Sequence, residues 1–548
     1  MASNGQEKHG ELETVRDTVE SIWVAIVAAF VLRAFLFEAF VIPTGSMAPR
    51  LLGEHWALTC PSCGYEYAYG APKDLQGQAG ASEPSIPAGA FCPNCRFPYS
   101  REGHRRYVDA GDRVLVLKYL YQFRQPQPWD VVVFKNHQDN RQNYIKRLIG
   151  LPGESIEIVH GDIFFRRGEG PWQVRRKPVE AQQAMWQVIY DNDYRPHEPW
   201  LDKYPRGFPA SWTSDDHRWD LSGDGGRRFV FAGGPAPAEL TLRADRDEFG
   251  PRYGYNTPQQ ESFTIDSDLD ICTDLKLECT FFPKAADSVA ALEMTGMGRR
   301  FRAEVTGEGK ARLLAQSIED GGPWRQWGAA EGLSDIRVGR GCQIALAHAD
   351  FRVELWVAGR RVLASTDEQY PADYAALKAR MRRASRHPIE TPRVRMAGQG
   401  GPLELGHVRV MRDVYYTCPR LASPEAGPAG EFARSLPDPP RSGMPGWGTT
   451  DNPITLRQDP SQSDLDEFFV MGDNSPASLD GRQWVQAAPT LRLRERSDGQ
   501  DMIYQLGTVP RYNLIGRAFF VYWPAGYRVP ALPRLPLIPN VGKMRLIR

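Results

Sequence analysis

The chain is 548 residues long, with 67 basic and 67 acidic residues and a hydrophobic fraction of 41%. That apolar content excludes a disordered chain, and the length suits about two to four domains. The balanced charge removes the usual electrostatic argument for a nucleic-acid partner, and eight cysteines are too few for a scaffold built on disulfides.

The N-terminal 42 residues predict a polar tail, 1–18, followed by a transmembrane helix, 19–42. An apolar stretch of this length can cross a bilayer of about 30 Å. Arg33 and Glu38 interrupt it, and a charge at mid-membrane costs about 2.5–3.5 kcal/mol, so a buried or interfacial amphipathic helix is the alternative. We favour a span with Arg33 near its outer end, where the long side chain reaches the interface.

A serine directly follows this apolar run. Residues 40–49 read Phe-Val-Ile-Pro-Thr-Gly-Ser-Met-Ala-Pro, which puts Ser46 in a turn rich in glycine and proline. Ser46 is a candidate nucleophile, but a serine hydroxyl needs a base within hydrogen-bond reach to act as one. Taken alone, the motif is more typical of an ordinary turn at the end of a strand.

Two cysteine pairs, Cys60-Pro-Ser-Cys63 and Cys92-Pro-Asn-Cys95, lie within residues 57–104. Paired Cys-x-x-Cys loops can present four thiolates tetrahedrally, so this segment resembles a zinc ribbon. Disulfides are the alternative outside the cell, although such loops fit a metal better than unstrained disulfides. A filled four-cysteine site leaves no open position for water, so the expected zinc is structural. No cofactor is expected for catalysis.

Beyond residue 108 the pattern is that of strands, and one lysine lies among apolar residues. The stretch Asn143-Tyr-Ile-Lys-Arg-Leu-Ile sets Lys146 between apolar neighbours. An ammonium held in such surroundings loses solvation, which lowers its pKa and turns it into a candidate base. The commoner arrangement is a lysine at the flank of a sheet with its head in water.

Residues 185–430 predict a second β domain. Strands such as 350–363 alternate apolar and charged residues and turn at Ala358-Gly359, which is typical of a β-sandwich. This portion resembles concanavalin-like jelly rolls, without a signature motif. Residues 431–465 predict a linker, since they are rich in proline, glycine and serine.

Four sequence blocks connect these regions. They are Ile42-Pro-Thr-Gly-Ser-Met-Ala-Pro, Gly111-Asp-Arg-Val-Leu-Val with Trp129-Asp-Val-Val-Val-Phe, Tyr144-Ile-Lys-Arg-Leu-Ile-Gly-Leu-Pro-Gly-Glu, and Val470-Met-Gly-Asp-Asn-Ser-Pro-Ala-Ser-Leu-Asp-Gly-Arg. In this order, after an apolar anchor, they resemble the blocks of bacterial type I signal peptidases. The resemblance implies a mostly β fold, with a catalytic domain in two parts, 43–170 and 466–548, split by the ribbon and the jelly-roll sandwich as insertions.

The resemblance also implies a membrane-anchored serine endopeptidase that removes signal peptides from exported preproteins after small residues, at Ala-x-Ala sites. Ser46 would be the acyl nucleophile and Lys146 the general base, forming a Ser/Lys dyad. Ser478 would orient the lysine amine. The oxyanion hole would use the Ser46 backbone N–H and the Thr44 hydroxyl.

The last block also implies a supporting loop of charged and amide side chains, namely Asp473, Asn474, Asp480 and Arg482. This loop departs from the family pattern. Ser475-Pro476 stands where relatives carry Arg-Asp, and Gly481 stands where they carry serine. Because the nucleophile, the base and Ser478 keep their positions, we expect an active site with altered loop packing.

The partners implied are signal peptides and a lipid bilayer, with no nucleic acid and with glycan or envelope protein as candidate ligands of the sandwich. The location implied is the cytoplasmic membrane, crossed once, with the catalytic domain on its outer face. One alternative is an inert membrane-anchored scaffold or glycan- or protein-binding module built on a signal-peptidase fold. A self-cleaving repressor-type Ser/Lys protease is another, and the apolar anchor counts against it.

Overall fold

A computed structural model of the chain describes residues 3–31, 35–71, 82–83, 91–98, 106–139, 141–196, 211–244, 246–251, 255–256, 270–384, 389–436, 439–488, 504–525 and 540–548. The predicted ribbon and sandwich each extend over some of the gaps, and those parts of both predictions lie outside the described residues. The described fold is mostly β, as the sequence predicts.

The helices are mostly short. They are α1 (Ser3–Val31), α2 (Leu120–Phe123), α3 (Val179–Met185), α4 (Gly223–Gly226), α5 (Tyr374–Ala384) and α6 (Pro428–Ser435). Within the residues that the structure describes, no helix is both long and apolar enough to cross a membrane.

The strands fall into three groups along the chain. The first group is β1 (Phe37–Val41), β2 (His55–Thr59), β3 (Glu66–Gly70), β4 (Ser82–Glu83), β5 (Arg106–Tyr107), β6 (Arg113–Leu117), β7 (Val131–Lys135), β8 (Asn143–Gly150), β9 (Glu154–Val159), β10 (Asp162–Arg167), β11 (Gln173–Val174) and β12 (Gln187–Asp191). The second is β13 (Ser211–Thr213), β14 (Trp219–Asp220), β15 (Arg228–Phe231), β16 (Gly234–Arg243), β17 (Leu275–Pro283), β18 (Val289–Gly296), β19 (Arg299–Thr306), β20 (Ala311–Ser317), β21 (Arg325–Ala330), β22 (Cys342–Ala349), β23 (Arg352–Val357), β24 (Arg360–Ala364), β25 (Val394–Gly400) and β26 (Leu403–Arg412). The third is β27 (Ile454–Thr455), β28 (Glu467–Met471), β29 (Val509–Pro510), β30 (Leu514–Trp523) and β31 (Arg545–Leu546).

The N-terminal boundaries predicted from the sequence are wrong. The helix begins at Ser3, inside the predicted tail, and it does not continue to residue 42, because residues 37–41 form β1. Aromatic and β-branched side chains such as Phe40 and Val41 favour strands. β1 pairs antiparallel with β6 over its whole length, so its backbone groups are satisfied in the sheet rather than in a helix.

One sheet combines strands from both predicted parts of the catalytic domain. Its order in the described part of the chain is β1-β6-β30-β7-β8-β28-β29, with β31 beside β30. The late strand β30 therefore lies between the early strands β6 and β7. β7 reads Val-Val-Val-Phe-Lys and is buried up to its last residue, as the apolar run of an internal strand predicts. This arrangement brings the turn 45–47, which follows β1, and the strand β28 close to the middle of β8.

Between these two parts the chain forms two antiparallel sheets that share one core. Their described orders are β14-β15-β26-β17-β22-β23-β24, with β12 beside β26, and β13-β16-β25-β18-β19-β20-β21. Buried side chains of both sheets, such as Leu277 and Leu292, belong to the same cluster. Two sheets packed face to face in this way form a β-sandwich. The predicted hairpin at Ala358-Gly359 is confirmed, and both residues have positive φ, as its tight turn requires.

The predicted linker, 431–465, is not an extended connection. α6 overlaps its beginning, and Ile454 of β27 pairs with Ile156 of β9. Ile454 and Leu456 are buried in a cluster with Phe469 of β28. The proline and glycine content indicates turns correctly, but the apolar side chains between the turns fold this stretch onto β9 and β28.

Candidate active site

Ser46 and Lys146 are brought together by two strands of one sheet. Ser46 lies in a single 3-10 turn, Gly45–Met47, shortly after β1 ends. Lys146 lies in the middle of β8, opposite Val132 of β7. Because β8 also pairs with β28, the loop that follows β28 faces both residues.

The two side chains are in direct hydrogen-bond contact. Lys146 Nζ lies 2.7 Å from Ser46 Oγ and donates to the Ile145 carbonyl at 3.2 Å. Both residues are buried, with 7% of Ser46 and 4% of Lys146 exposed. The Nζ–Oγ distance is compatible with both protonation states of the lysine. A protonated amine would donate a hydrogen bond to the Ser46 hydroxyl, whereas a neutral amine would accept the hydroxyl proton.

Burial changes the acidity of this lysine. It lowers the pKa of Lys146 from 10.5 to about 8, since the charged form loses its hydration. The carboxylates of Asp480 and Asp473 oppose this shift and the Arg482 guanidinium adds to it. A lysine with this pKa holds an appreciable neutral fraction near neutral pH, which a general base requires.

The loop after β28 holds the backbone of the serine turn. The Asn474 N–H donates to the Ser46 carbonyl at 3.0 Å, and Asn474 Nδ2 donates to the Gly45 carbonyl at 2.9 Å. Gly472 permits this approach, because a Cβ atom there would lie closer than 3.0 Å to the Ser46 carbonyl oxygen and to the side chain of Ser478. The loop after β28 thus holds the turn through two hydrogen bonds from Asn474.

Two buried ion pairs support the loop. Arg147 donates to both carboxylate oxygens of Asp473 at 2.6 Å. Arg482 makes the same two-point contact with Asp480 at 2.9 and 2.7 Å, and Asp480 also accepts from the Gly472 N–H at 2.9 Å. Planar pairs of this kind fix orientation as well as charge.

Thr44 and Ser478 lie beside the site without the contacts expected of them. Thr44 is exposed directly before the turn, and its hydroxyl caps no backbone N–H of that turn. Ser478 is buried, and its Oγ has no hydrogen-bond partner among the residues that the structure describes. Lys146 donates to the Ile145 carbonyl instead, so the roles assigned to Thr44 and Ser478 stay predictions.

Comparison with known proteins is consistent with this geometry. The family model for "Signal peptidase, peptidase S26" matches residues 97–185 and 449–523. These two segments of the chain are similar to the peptidase S26 family. The match includes Lys146 and the loop after β28, and it begins after Ser46.

Several proteins similar to this chain are bacterial and named signal peptidase I. The protein of Rickettsia typhi is 29% identical over 152 residues, which are 28% of this chain and 44% of the relative. The protein of Buchnera aphidicola subsp. Acyrthosiphon pisum is 27% identical over 139 residues, which are 25% of this chain and 30% of the relative. The chain therefore spans less than half the length of these relatives.

The solved structures similar to this chain include a carbohydrate-binding module and a β-glucanase. A carbohydrate-binding module of Bacillus subtilis, CBM66, is 10% identical, covers 36% of this chain and 94% of its own, and has a TM-score of 0.23. A β-glucanase of Bacillus licheniformis is 11% identical, covers 39% and 95%, and has the same TM-score of 0.23. Similarity this low supports no conclusion about the ligand of the sandwich.

Two departures of this loop from the pattern of signal peptidases, Ser475 and Gly481, have structural explanations. The Ser475 hydroxyl accepts a hydrogen bond from Arg482 at 2.7 Å, and its carbonyl accepts another at 2.9 Å. Gly481 lies against backbone, because a Cβ atom there would come closer than 3.0 Å to the carbonyl oxygens of Gly507 and Val470. A serine at 481 would not fit while this neighbouring backbone keeps its position.

Three residues near Ser46 and Lys146 were not found from the sequence. Arg147 is adjacent to the candidate base, and its position in a buried strand was a signal that its charge needs a buried partner. Tyr255 and Asn256 belong to the inserted segment and contact the serine turn and Asn474. Nothing in their local sequence indicates this, because the contact joins positions more than two hundred residues apart.

The four predicted metal ligands lie in a separate cluster. Cys60 Sγ is 3.5 Å from Cys95 Sγ, and Cys63 Sγ is 3.7 Å from Cys92 Sγ. All four Sγ atoms lie within 4.8 Å of one another. All four are buried free thiols. A disulfide would bring two sulfurs to about 2.05 Å, whereas zinc bonds of about 2.3 Å in a tetrahedron separate sulfurs by about 3.8 Å. The donor set and its spacing therefore fit a zinc ion.

Proposed function

We propose that the chain is a serine endopeptidase that uses Ser46 and Lys146 to cleave N-terminal signal peptides from exported preproteins. The observation that carries the proposal is the 2.7 Å contact between Lys146 Nζ and Ser46 Oγ in a buried site. The similarity of residues 97–185 and 449–523 to the signal peptidase S26 family model supports the same reaction class. A nucleophile and a base within hydrogen-bond reach are the minimum that acyl transfer by serine requires.

The reaction follows from the chemistry of the two groups. Neutral Lys146 takes the Ser46 proton as the hydroxyl attacks the scissile carbonyl, and the lysine ammonium then protonates the leaving amine. The resulting ester is hydrolysed by a water molecule that the same lysine deprotonates. The Ser46 backbone N–H and the Thr44 hydroxyl would stabilise the oxyanion, and each such donor is worth about 2.7–4 kcal/mol. Ser478 would orient the amine.

The substrate in this proposal is an extended segment with small side chains at alternate positions, as in an Ala-x-Ala site. An extended peptide can bind as an additional strand, so that backbone hydrogen bonds supply affinity and shallow pockets select the small residues.

Membrane contact is part of the proposal. Large apolar side chains between Val19 and Val31 are exposed in α1, with 62% of Trp23 and 66% of Phe30 accessible. A contiguous apolar surface of this kind marks a site of membrane or protein contact. We propose that it is covered by lipid of the cytoplasmic membrane, with the peptidase sheet on the outer face, where exported preproteins emerge.

The test is cleavage of a fluorogenic peptide with a signal-peptide cleavage site under single-turnover conditions, using the full chain in detergent. We expect cleavage by the wild type and none by Ser46→Ala. Ser365→Ala is a matched control, because Ser365 is also a buried serine, and its hydroxyl accepts a hydrogen bond from the Val353 N–H within the sandwich. Absence of cleavage by folded wild type would favour the inert scaffold instead.

We also propose that the four cysteines hold a structural zinc ion, which would order the two loops that carry them. Purified protein should contain about one zinc per chain by elemental analysis. Cys92→Ser should lose most of that zinc. Cys418→Ser should keep it, because Cys418 is exposed and its Sγ lies 3.8 Å from Thr450 Oγ1, outside the four-cysteine cluster. A zinc-free wild type whose free-thiol assay indicates two disulfides would contradict the proposal.

A further inference from the structure

Two residues of the inserted segment 185–430 lie inside the peptidase site. Asn256 is 1% exposed and contacts the loop after β28, while the adjacent Tyr255 contacts the serine turn. We propose that Asn256, held in place by Tyr255, is a positioning residue that fixes the nucleophile turn through Asn474. The catalytic part of this inference rests on the proposed function.

The first step is a reciprocal amide pair. Asn256 Nδ2 donates to Asn474 Oδ1 at 2.9 Å, and Asn474 Nδ2 donates to Asn256 Oδ1 at 2.7 Å. Asn474 Nδ2 has two protons, and the second goes to the Gly45 carbonyl at 2.9 Å. Both Nδ2 protons of Asn474 are thus engaged, one with the serine turn and one with the inserted segment. Without Asn256, its amide could rotate and the bond to Gly45 would no longer be enforced.

The second step is the packing of Tyr255. Its ring lies over Gly45 and Gly70, where a Cβ atom at either glycine would come closer than 3.0 Å to the ring. Its hydroxyl donates to the Glu54 carbonyl at 3.2 Å, and its own carbonyl accepts from the Gly70 N–H at 2.7 Å. These contacts anchor the segment to β3 and close one face of the turn. They also explain why residue 45 must be glycine here, since any side chain would collide with the ring.

The consequence for catalysis concerns the nucleophile rather than the substrate. Ser46 reacts only while its Oγ stays within reach of Lys146 Nζ, and a misplacement of about 1 Å can cost about 10²-fold in rate. Loosening the turn should therefore lower kcat and leave KM nearly unchanged. If Asn256 only stabilised the overall fold, the folded fraction of the variant would keep the kcat and the KM of the wild type.

The test compares full-length Asn256→Ala and Asn256→Asp with the wild type. We expect kcat to fall about 10–100-fold in Asn256→Ala with KM within about twofold. Asn256→Asp keeps an oxygen that accepts from Asn474 Nδ2, so it should retain more of kcat than Asn256→Ala. This second variant keeps the test informative if the alanine variant folds poorly. The matched control is Asn192→Ala, which removes an equally buried asparagine bonded to Tyr190 and Gly226 of the insertion.

A second readout does not depend on activity. The Ala48 N–H donates to Gly45 and the Leu51 N–H to Met47, so hydrogen exchange in a peptide covering 44–52 reports the order of the turn. Exchange there should be faster in Asn256→Ala and unchanged in Asn192→Ala. Faster exchange together with an inactive wild type would leave the positioning role standing and overturn the peptidase proposal. Unchanged exchange, or faster exchange with unchanged kcat, would overturn the positioning role.

Discussion

Replacement of Lys146 by methionine is expected to lower kcat/KM for peptide cleavage by about 10²–10⁴-fold, the usual contribution of a general base. Methionine is a flexible apolar side chain of similar length, so it can fill the buried space without leaving an unpaired charge. What disappears is the amine 2.7 Å from Ser46 Oγ. The measurement is single-turnover cleavage, with circular dichroism to establish that the variant is folded.

Lys135→Met is the control for this variant. Lys135 ends β7, the strand paired with β8, and its side chain is exposed. The same chemical change at this position should leave kcat/KM within about twofold, because exposed substitutions away from a site are usually nearly neutral. Retention of full activity by Lys146→Met would rule out the lysine as the base.

The pH profile of the wild type tests the same role without a mutation. Since only neutral lysine can accept the Ser46 proton, kcat/KM should rise as the pH increases through about 8, the pKa that burial produces for Lys146. A rate that falls over this range would require the protonated lysine and would contradict the mechanism.

Asp473→Ala is expected to lower the free energy of unfolding by about 3–5 kcal/mol, the usual effect of removing one partner of a buried ion pair. Arg147 is almost completely buried and donates to both oxygens of Asp473 at 2.6 Å. Without the carboxylate, a desolvated guanidinium is left uncompensated beside the candidate base. Equilibrium urea denaturation measures the change.

The control for Asp473 is Glu308→Ala in the sandwich. Glu308 pairs with Lys310 at 3.0 Å, but both side chains are about half exposed, at 49% and 48%. Exposed pairs of this type are screened by water and salt, so the denaturation midpoint should hardly change. Equal effects of the two substitutions would mean that the Arg147 pair contributes no more than a surface contact.

The sequence predicted chemically capable residues best where the signal lies within a few adjacent residues. The serine in its Gly/Pro turn, the lysine among apolar neighbours and the two cysteine pairs are all readable from a few adjacent residues. The structure brings Ser46 to Lys146 and gathers the four sulfurs, and the pattern at Ala358-Gly359 does form its hairpin.

Predictions from composition alone were less reliable. The apolar run 19–42 predicts one helix, yet residues 37–41 near its end form the strand β1, because a pairing partner was available in β6. The stretch 431–465 predicts a linker, yet Ile454 and Leu456 are buried in a cluster with Phe469 of β28. In both cases a tertiary partner overrode a local preference, which by itself is only a weak determinant of structure.

The sequence by itself determined which residues are chemically capable: a hydroxyl in a turn, an amine in an apolar strand, and four thiols at metal-ligand spacing. Only the tertiary structure decided how they are held. Burial sets the pKa of Lys146, and burial is a property of the packed sheet. The clamp on the serine turn comes from Asn474 and Asn256, 218 residues apart in the chain, because a hydrogen bond depends on distance in space and not on position in sequence.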